Sequence, residues 1–134
     1  MKEIVVSGPV IIECGKLLVS KDSKDDFYKI PGGTAKPGEE LEATCIREVK
    51  EETNADIEII KPLSIMVVNK NTQTKEEMQI MLHHYKAKLK NKSELKPNEE
   101  GILEVKWLDI EEIKSGKWNV APNIKFLIEK GDLE

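Results

Sequence analysis

The feature that most restricts the fold of this chain is one run of helix formers, Glu39 to about Thr53, which follows the breaker Pro37-Gly38 and lies between segments that read as strands. A helix so placed has to bury its apolar stripe against a sheet. Ahead of it, the apolar runs Ile4 to Ile12 and Leu17 to Ser20 flank Glu13-Cys14-Gly15-Lys16, where Gly15 supplies the positive φ of a hairpin turn. Lys21 to Asp26 is a polar loop, and Phe27-Tyr28-Lys29-Ile30 alternates briefly before Pro31-Gly32-Gly33 breaks it. After it, the β-rich runs Ile57 to Val68 and Met78 to Lys88 predict an antiparallel pair. Their polar connection, Asn69 to Glu77, reads as long, mobile and able to reach over a ligand. A polar loop from Lys90 to Gly101 leads to a strand at Ile102 to Leu108 and a short helical turn at Asp109 to Ile113. Pro122 starts a last helix through Ile124, Phe126, Leu127 and Ile128. This order predicts an α+β or α/β/α sandwich fold with a mixed sheet.

With 134 residues and no internal repeat or linker, the chain reads as a single domain over residues 1–134. Charged residues form 34% and apolar residues 39% of it, as in a globular protein. The net charge of -4 offers no footprint for nucleic acid, although a nucleotide can be held through bound cations. No apolar run approaches the roughly 20 residues that span a bilayer, and Met-Lys-Glu-Ile-Val-Val lacks a signal-peptide pattern. No membrane partner and a cytoplasmic location are therefore expected, with a homodimer left open. Cys14 and Cys45 show no metal or disulfide spacing and are expected as core or half-buried residues.

The charges of the central helix sit in an unusual place. At about 100° per residue, Leu41 and Val49 fall within about 40° of Cys45 and define the inward stripe. Glu52 falls inside that stripe, with Glu48 and Glu51 on its flank. Carboxylates at the edge of a core repel one another and lose hydration, and the C-terminal half of a helix disfavours negative charge. Arg47 reaches Glu51 one turn on, but one guanidinium cannot neutralise three acids, so a cation is the economical explanation. Oxygen ligands select hard ions, Mg²⁺ or Mn²⁺.

A lone E-x-x-E-E is an ordinary solvated pattern on a helix. Here the flanks alter that reading: Gly33, five residues, Glu39, seven residues, then Arg47-Glu48-Val49-Lys50-Glu51-Glu52 resembles the Nudix box of the MutT-like Nudix hydrolase superfamily. The resemblance implies a loop-helix-loop that binds metal and diphosphate within a Nudix-like α/β/α sandwich. It would give Gly32 or Gly33 a carbonyl toward a metal, Arg47 the task of orienting the acids, and Glu48, Glu51 and Glu52 the metal. Glu39 would organise the loop near substrate or cap the helix. Asn54 replaces the Gly that usually follows the acidic pair, which a left-handed helix end tolerates. Lys36 stands where many members carry an acid.

The reaction the resemblance implies is metal-assisted attack of water on a phosphorus of a nucleoside diphosphate joined to another group. The base that takes the proton comes either from the box, Glu48 or Glu52, or from a later loop, where a further acidic metal ligand or base is expected and Glu100 is favoured over Glu99; a solvated loop charge is the alternative. Phe27, Tyr28, Trp107 and Trp118 are candidates for stacking on a base, although Trp107 in an apolar strand is more often a core residue, and Asn119 or Asn123 for reading its edge. Met66 to Gln73 carries neither the Pro of some ADP-ribose-cleaving members nor the Tyr of some dinucleoside-polyphosphate members. That leans toward nucleoside-triphosphate pyrophosphohydrolysis, with ADP-sugar or dinucleoside polyphosphate hydrolysis as alternatives. The rival from another class is a noncatalytic nucleotide-binding or regulatory module. Retention of Arg47, Glu48, Glu51 and Glu52 argues against it.

Overall fold

A computed structural model describes residues 2–71, 77–90 and 94–134. Strand β1 (Lys2–Glu13) turns through Cys14-Gly15 into β2 (Lys16–Asp22). Both turn residues have positive φ, 51° and 73°, and Glu13 faces Lys16 across the turn, so this is the tight hairpin whose twist suits paired strands. Its tip exposes Cys14, which corrects the expectation of a buried or half-buried thiol; Cys45 is fully buried. The short β3 (Gly33–Thr34) precedes helix α1 (Leu41–Thr53). Then follow β4 (Ile57–Pro62), β5 (Met66–Asn71), β6 (Glu77–Leu89), β7 (Ile102–Asp109), α2 (Ile110–Lys114) and α3 (Pro122–Glu129).

The sheet runs β4-β6-β1-β2-β7, with β5 also on β6 and β3 also on β1. β1 and β6 are parallel while the other pairs are antiparallel, which gives the expected mixed sheet. Alternation sends Val10, Leu17 and Val19 to one face, where they pack with Ile124 and Leu127 of α3 and Ile110 and Ile113 of α2. Ile11 and Leu18 go to the other face, against Cys45 and Val49 of α1. Helices on both faces of one sheet make the sandwich.

Three boundaries differ from the sequence reading. α1 starts at Leu41 rather than Glu39, and its N-cap is Glu40 with no side-chain cap bond. The capping role considered for Glu39 is therefore not the one it takes. Ile57 to Val68 is two strands: Pro62 faces Tyr85 and Met66 faces Leu82, so three residues on one side oppose two on the other and the ladder breaks. Phe27 to Ile30 contributes only isolated bridges, Lys29 to Ser20 and Tyr28 to Val120. Of the expected Asn69 to Glu77 connection, residues 72–76 lie outside the described residues.

Candidate active site

Between the stretch of β1 paired with β3 and the stretch paired with β2, Gly8 to Ile11 have only β6 as strand partner. Pro31-Gly32 fills that gap in direct contact with β1. A Cβ on Gly32 would lie 2.6 Å from the Ser7 carbonyl oxygen and 2.8 Å from Gly8 Cα, so only glycine permits the approach. Ser7 Oγ donates to the Leu41 carbonyl at 2.7 Å and ties the start of α1 to the same strand. The loop and the helix are thus both referenced to β1. Gly32 N–H then donates to Glu52 Oε2 at 3.0 Å, and the Glu48 carboxylate lies so close to Gly33 that a Cβ there would come within 2.5 Å of it.

Arg47 serves more acids than the helical spacing alone suggests. Its Nε and Nη2 donate to Glu39 at 2.8 and 2.9 Å, and its Nη1 to Glu48 Oε1 at 2.8 Å and to Glu51 at 3.2 Å. Nη2 also reaches the Thr34 carbonyl at 3.4 Å. Glu39 in turn accepts from Thr44 Oγ1 at 2.7 Å and from Lys36 N–H at 3.1 Å, so it joins the Gly-rich loop to the helix. The Arg47 guanidinium holds the Glu39 carboxyl well below the usual carboxylate range.

Glu52 stands apart from this fork. Burial pushes its carboxyl up to about 8, opposed by the Gly32 N–H and reinforced by the charges of Glu48 and Glu99. Burial also raises Glu48, against the pull of Arg47, with Glu51 and Glu99 adding to the rise. Of the two loop acids it is Glu99, not the favoured Glu100, whose charge is among those acting on both helix acids. Among the described residues, no three His, Cys, Asp or Glu side chains are gathered closely enough to hold a metal. Glu48 and Glu51 are instead turned toward Arg47.

A cavity of about 420 Å³ has Gly32 in its lining and is walled by Ile30, Met66, Val68, Ile80 and Leu82, with Phe27, Lys29, His84 and Asn123 also facing it. His84 is buried. Its Nδ1 lies 2.8 Å from the Ser64 carbonyl, which can only accept, so Nδ1 carries the proton and Nε2 accepts from Asn123 Nδ2 at 3.1 Å. Burial holds the His84 imidazole below its ordinary value, in keeping with that neutral form. The other candidates for base recognition lie elsewhere. Tyr28 packs edge-on to Trp118, at 5.8 Å between centroids, and donates to Glu104; Asn119 donates to the Asp26 carbonyl at 2.6 Å; Trp107 packs beside the α1 core. Sequence reasoning passed over His84 and Lys29, which an apolar or polar run does not distinguish from ordinary strand residues.

The family model for the NUDIX domain matches residues 1–128. The chain belongs to the NUDIX family. Nudix hydrolase 5 of Arabidopsis thaliana is 30% identical over 114 residues, covering 81% of this chain and 37% of that protein. "Nucleoside diphosphate-linked moiety X motif 6" of Xenopus laevis is 41% identical over 66 residues, 47% of this chain and 30% of that protein. The chain thus spans about a third of the length of these relatives. A NUDIX hydrolase from Nitrosomonas europaea superposes with a TM-score of 0.74 at 20% identity, over 96% of this chain and 88% of that one, which shows the shared Nudix α/β/α fold. Among the described residues, no helix of this Nudix domain is long and apolar enough to cross a membrane.

Proposed function

We propose that this Nudix domain hydrolyses the phosphoanhydride of a nucleoside diphosphate linked to another moiety, with a nucleoside triphosphate as the favoured substrate and release of pyrophosphate. The observation that carries this reading is the double role of Gly32, which walls the apolar cavity and donates its N–H to Glu52. A nucleoside in that cavity would direct its phosphates at the acidic helix. Phe27 and Asn123 line the cavity and are the residues proposed to meet the base. Cytoplasmic nucleotides are the expected substrate pool, and residues 1–134 are read as one domain.

The donor set fits a hard divalent cation. Glu48 and Glu52 are both raised by burial, Glu48 further by the charge of Glu51 and Glu52 by that of Glu48, with Glu99 adding to both, and a cation relieves that repulsion. Glu48, Glu51, Glu52 and the Gly32 carbonyl are the groups proposed to hold Mg²⁺ or Mn²⁺, which when bound supplies charge neutralisation on the bridging and leaving oxygens. The chain's own residues do the rest. Water attacks phosphorus, the anhydride P–O bond breaks with its electron pair leaving on the departing phosphate, and a carboxylate takes the proton from water. The loop acid proposed for that proton is Glu99 or Glu100; Glu99 directly follows Asn98, whose N–H bonds the Glu52 carbonyl. Arg47 keeps Glu39, Glu48 and Glu51 in register without touching the reacting atoms.

The test is phosphate and pyrophosphate release from a panel of nucleoside triphosphates, ADP-ribose and dinucleoside polyphosphates with Mg²⁺ or Mn²⁺. Turnover of triphosphates ahead of the other classes is expected. Binding of nucleotide and metal with no turnover across the panel would identify a noncatalytic module instead.

A further inference from the structure

The carbonyl end of α1 is covered by the loop that carries Glu99. Asn54 Nδ2 donates to the Glu94 carbonyl at 3.0 Å, Lys96 N–H to the Thr53 carbonyl at 3.1 Å, and Asn98 N–H to the Glu52 carbonyl at 3.0 Å. Asn98 Nδ2 reaches the Lys50 carbonyl at 3.2 Å. The last carbonyls of a helix lack intrahelical partners, so a loop that supplies N–H groups to them is fixed to the helix by bonds the helix needs. Asn54 sits left-handed at φ 66°, a conformation that glycine would adopt as well. Glycine, however, has no side chain to hold Glu94.

We propose that Asn54 and Asn98 form a latch that seats the 94–99 loop on the end of α1 and thereby positions Glu99 against Glu48 and Glu52. Both asparagines are positioning residues. Asn98 is adjacent to Glu99; its backbone N–H bonds the Glu52 carbonyl, and its side chain adds the bond to the Lys50 carbonyl, the one that alanine would remove. The departure from the usual Gly at position 54 has a use: it adds the second anchor at the far end of the loop.

This inference rests on the hydrolase reading, and the experiment separates the two. Kinetics are measured on the full chain for the wild type, Asn54→Gly/Asn98→Ala, Glu99→Gln, and the combination of all three, with circular dichroism as the folding control. Asn54→Gly keeps the left-handed cap while removing the side chain. The latch variant should lose about 10- to 100-fold in kcat with KM little changed. It should cause no further loss once Glu99 is Gln, because a residue acting through another is silent when its target is gone. Equal fractional losses in both backgrounds, an unchanged kcat in the latch variant, or an unchanged kcat in Glu99→Gln each overturn the latch while leaving the hydrolase reading standing. If the latch variant unfolds, Asn98→Ala alone is read by the same criteria. A wild-type chain inert on every nucleotide overturns both.

Discussion

Replacing Glu52 by Gln should stabilise the metal-free protein at alkaline pH while destroying its activity. Glu52 is only 8% exposed, and its folded-state carboxyl is pushed from 4.5 up to about 8. A raised carboxyl gives the folded state more protons than the unfolded one between those values. Its contribution is therefore full below pH 4.5 and lost as pH rises through 8. The whole shift corresponds to about 5 kcal/mol against the ionised form, an upper bound that relaxation and water entry reduce. Gln keeps the acceptor for the Gly32 N–H and never ionises. A gain of about 2 kcal/mol at pH 8 is expected, raising Tm by about 6 °C in a chain of this length. At pH 5 the acid is already protonated and the two proteins should melt together. Thermal denaturation in chelator at both pH values is the assay, with turnover measured on the same samples; a loss of at least about 100-fold in kcat is expected. A variant less stable than wild type by the same margin at both pH values would refute the reasoning, because it would mean the ionised form costs nothing.

Four further outcomes are expected. Gly33→Ala should keep the fold but displace the Glu48 carboxylate 2.5 Å from the new Cβ, so circular dichroism stays while kcat falls about tenfold or more. Gly32→Ala meets backbone instead, 2.6 Å from the Ser7 carbonyl oxygen, and should lose about 2 kcal/mol or more in urea denaturation. Asn54→Gly exchanges a hydrogen bond to Glu94 for an easier left-handed cap and should change stability by less than about 1 kcal/mol, whereas Asn54→Ala loses both and should cost about 1–2 kcal/mol. His84, held below its ordinary 6.5, binds its proton more readily when unfolded; stability from this residue is present above pH 6.5 and lost as pH falls, a slope that His84→Gln should remove from a chelated pH titration of stability.

The parts of the fold legible in the sequence are those set by local chemistry. Gly15 marked the hairpin, Pro122 the start of α3, and Asp109 to Ile113 the short turn of α2, which Asp109 caps, because turn and cap positions accept few residue types. The division of Ile57 to Val68 falls at Pro62, a breaker inside an otherwise apolar run, and the register against β6 shifts there: Leu63 N–H bonds the His84 carbonyl opposite the extra residue. In the site, helical periodicity was enough to put Glu52 inward. It could not show that Glu39, eight positions from Arg47, would share the guanidinium with Glu48 and Glu51, because that depends on how the Gly-rich loop folds back over the helix. Nor could it show that the loop carrying Glu99 and Glu100 is bonded to the end of α1 through Asn98.

The most direct test of the account joins metal to chemistry at the acidic helix. Mn²⁺ binding is measured by calorimetry on the wild type, Glu48→Gln and Glu52→Gln, and pyrophosphate release from nucleoside triphosphates is measured on the same preparations. Both variants are expected to bind Mn²⁺ at least about tenfold more weakly and to lose turnover in parallel. Undiminished Mn²⁺ affinity together with undiminished turnover in both variants would contradict it.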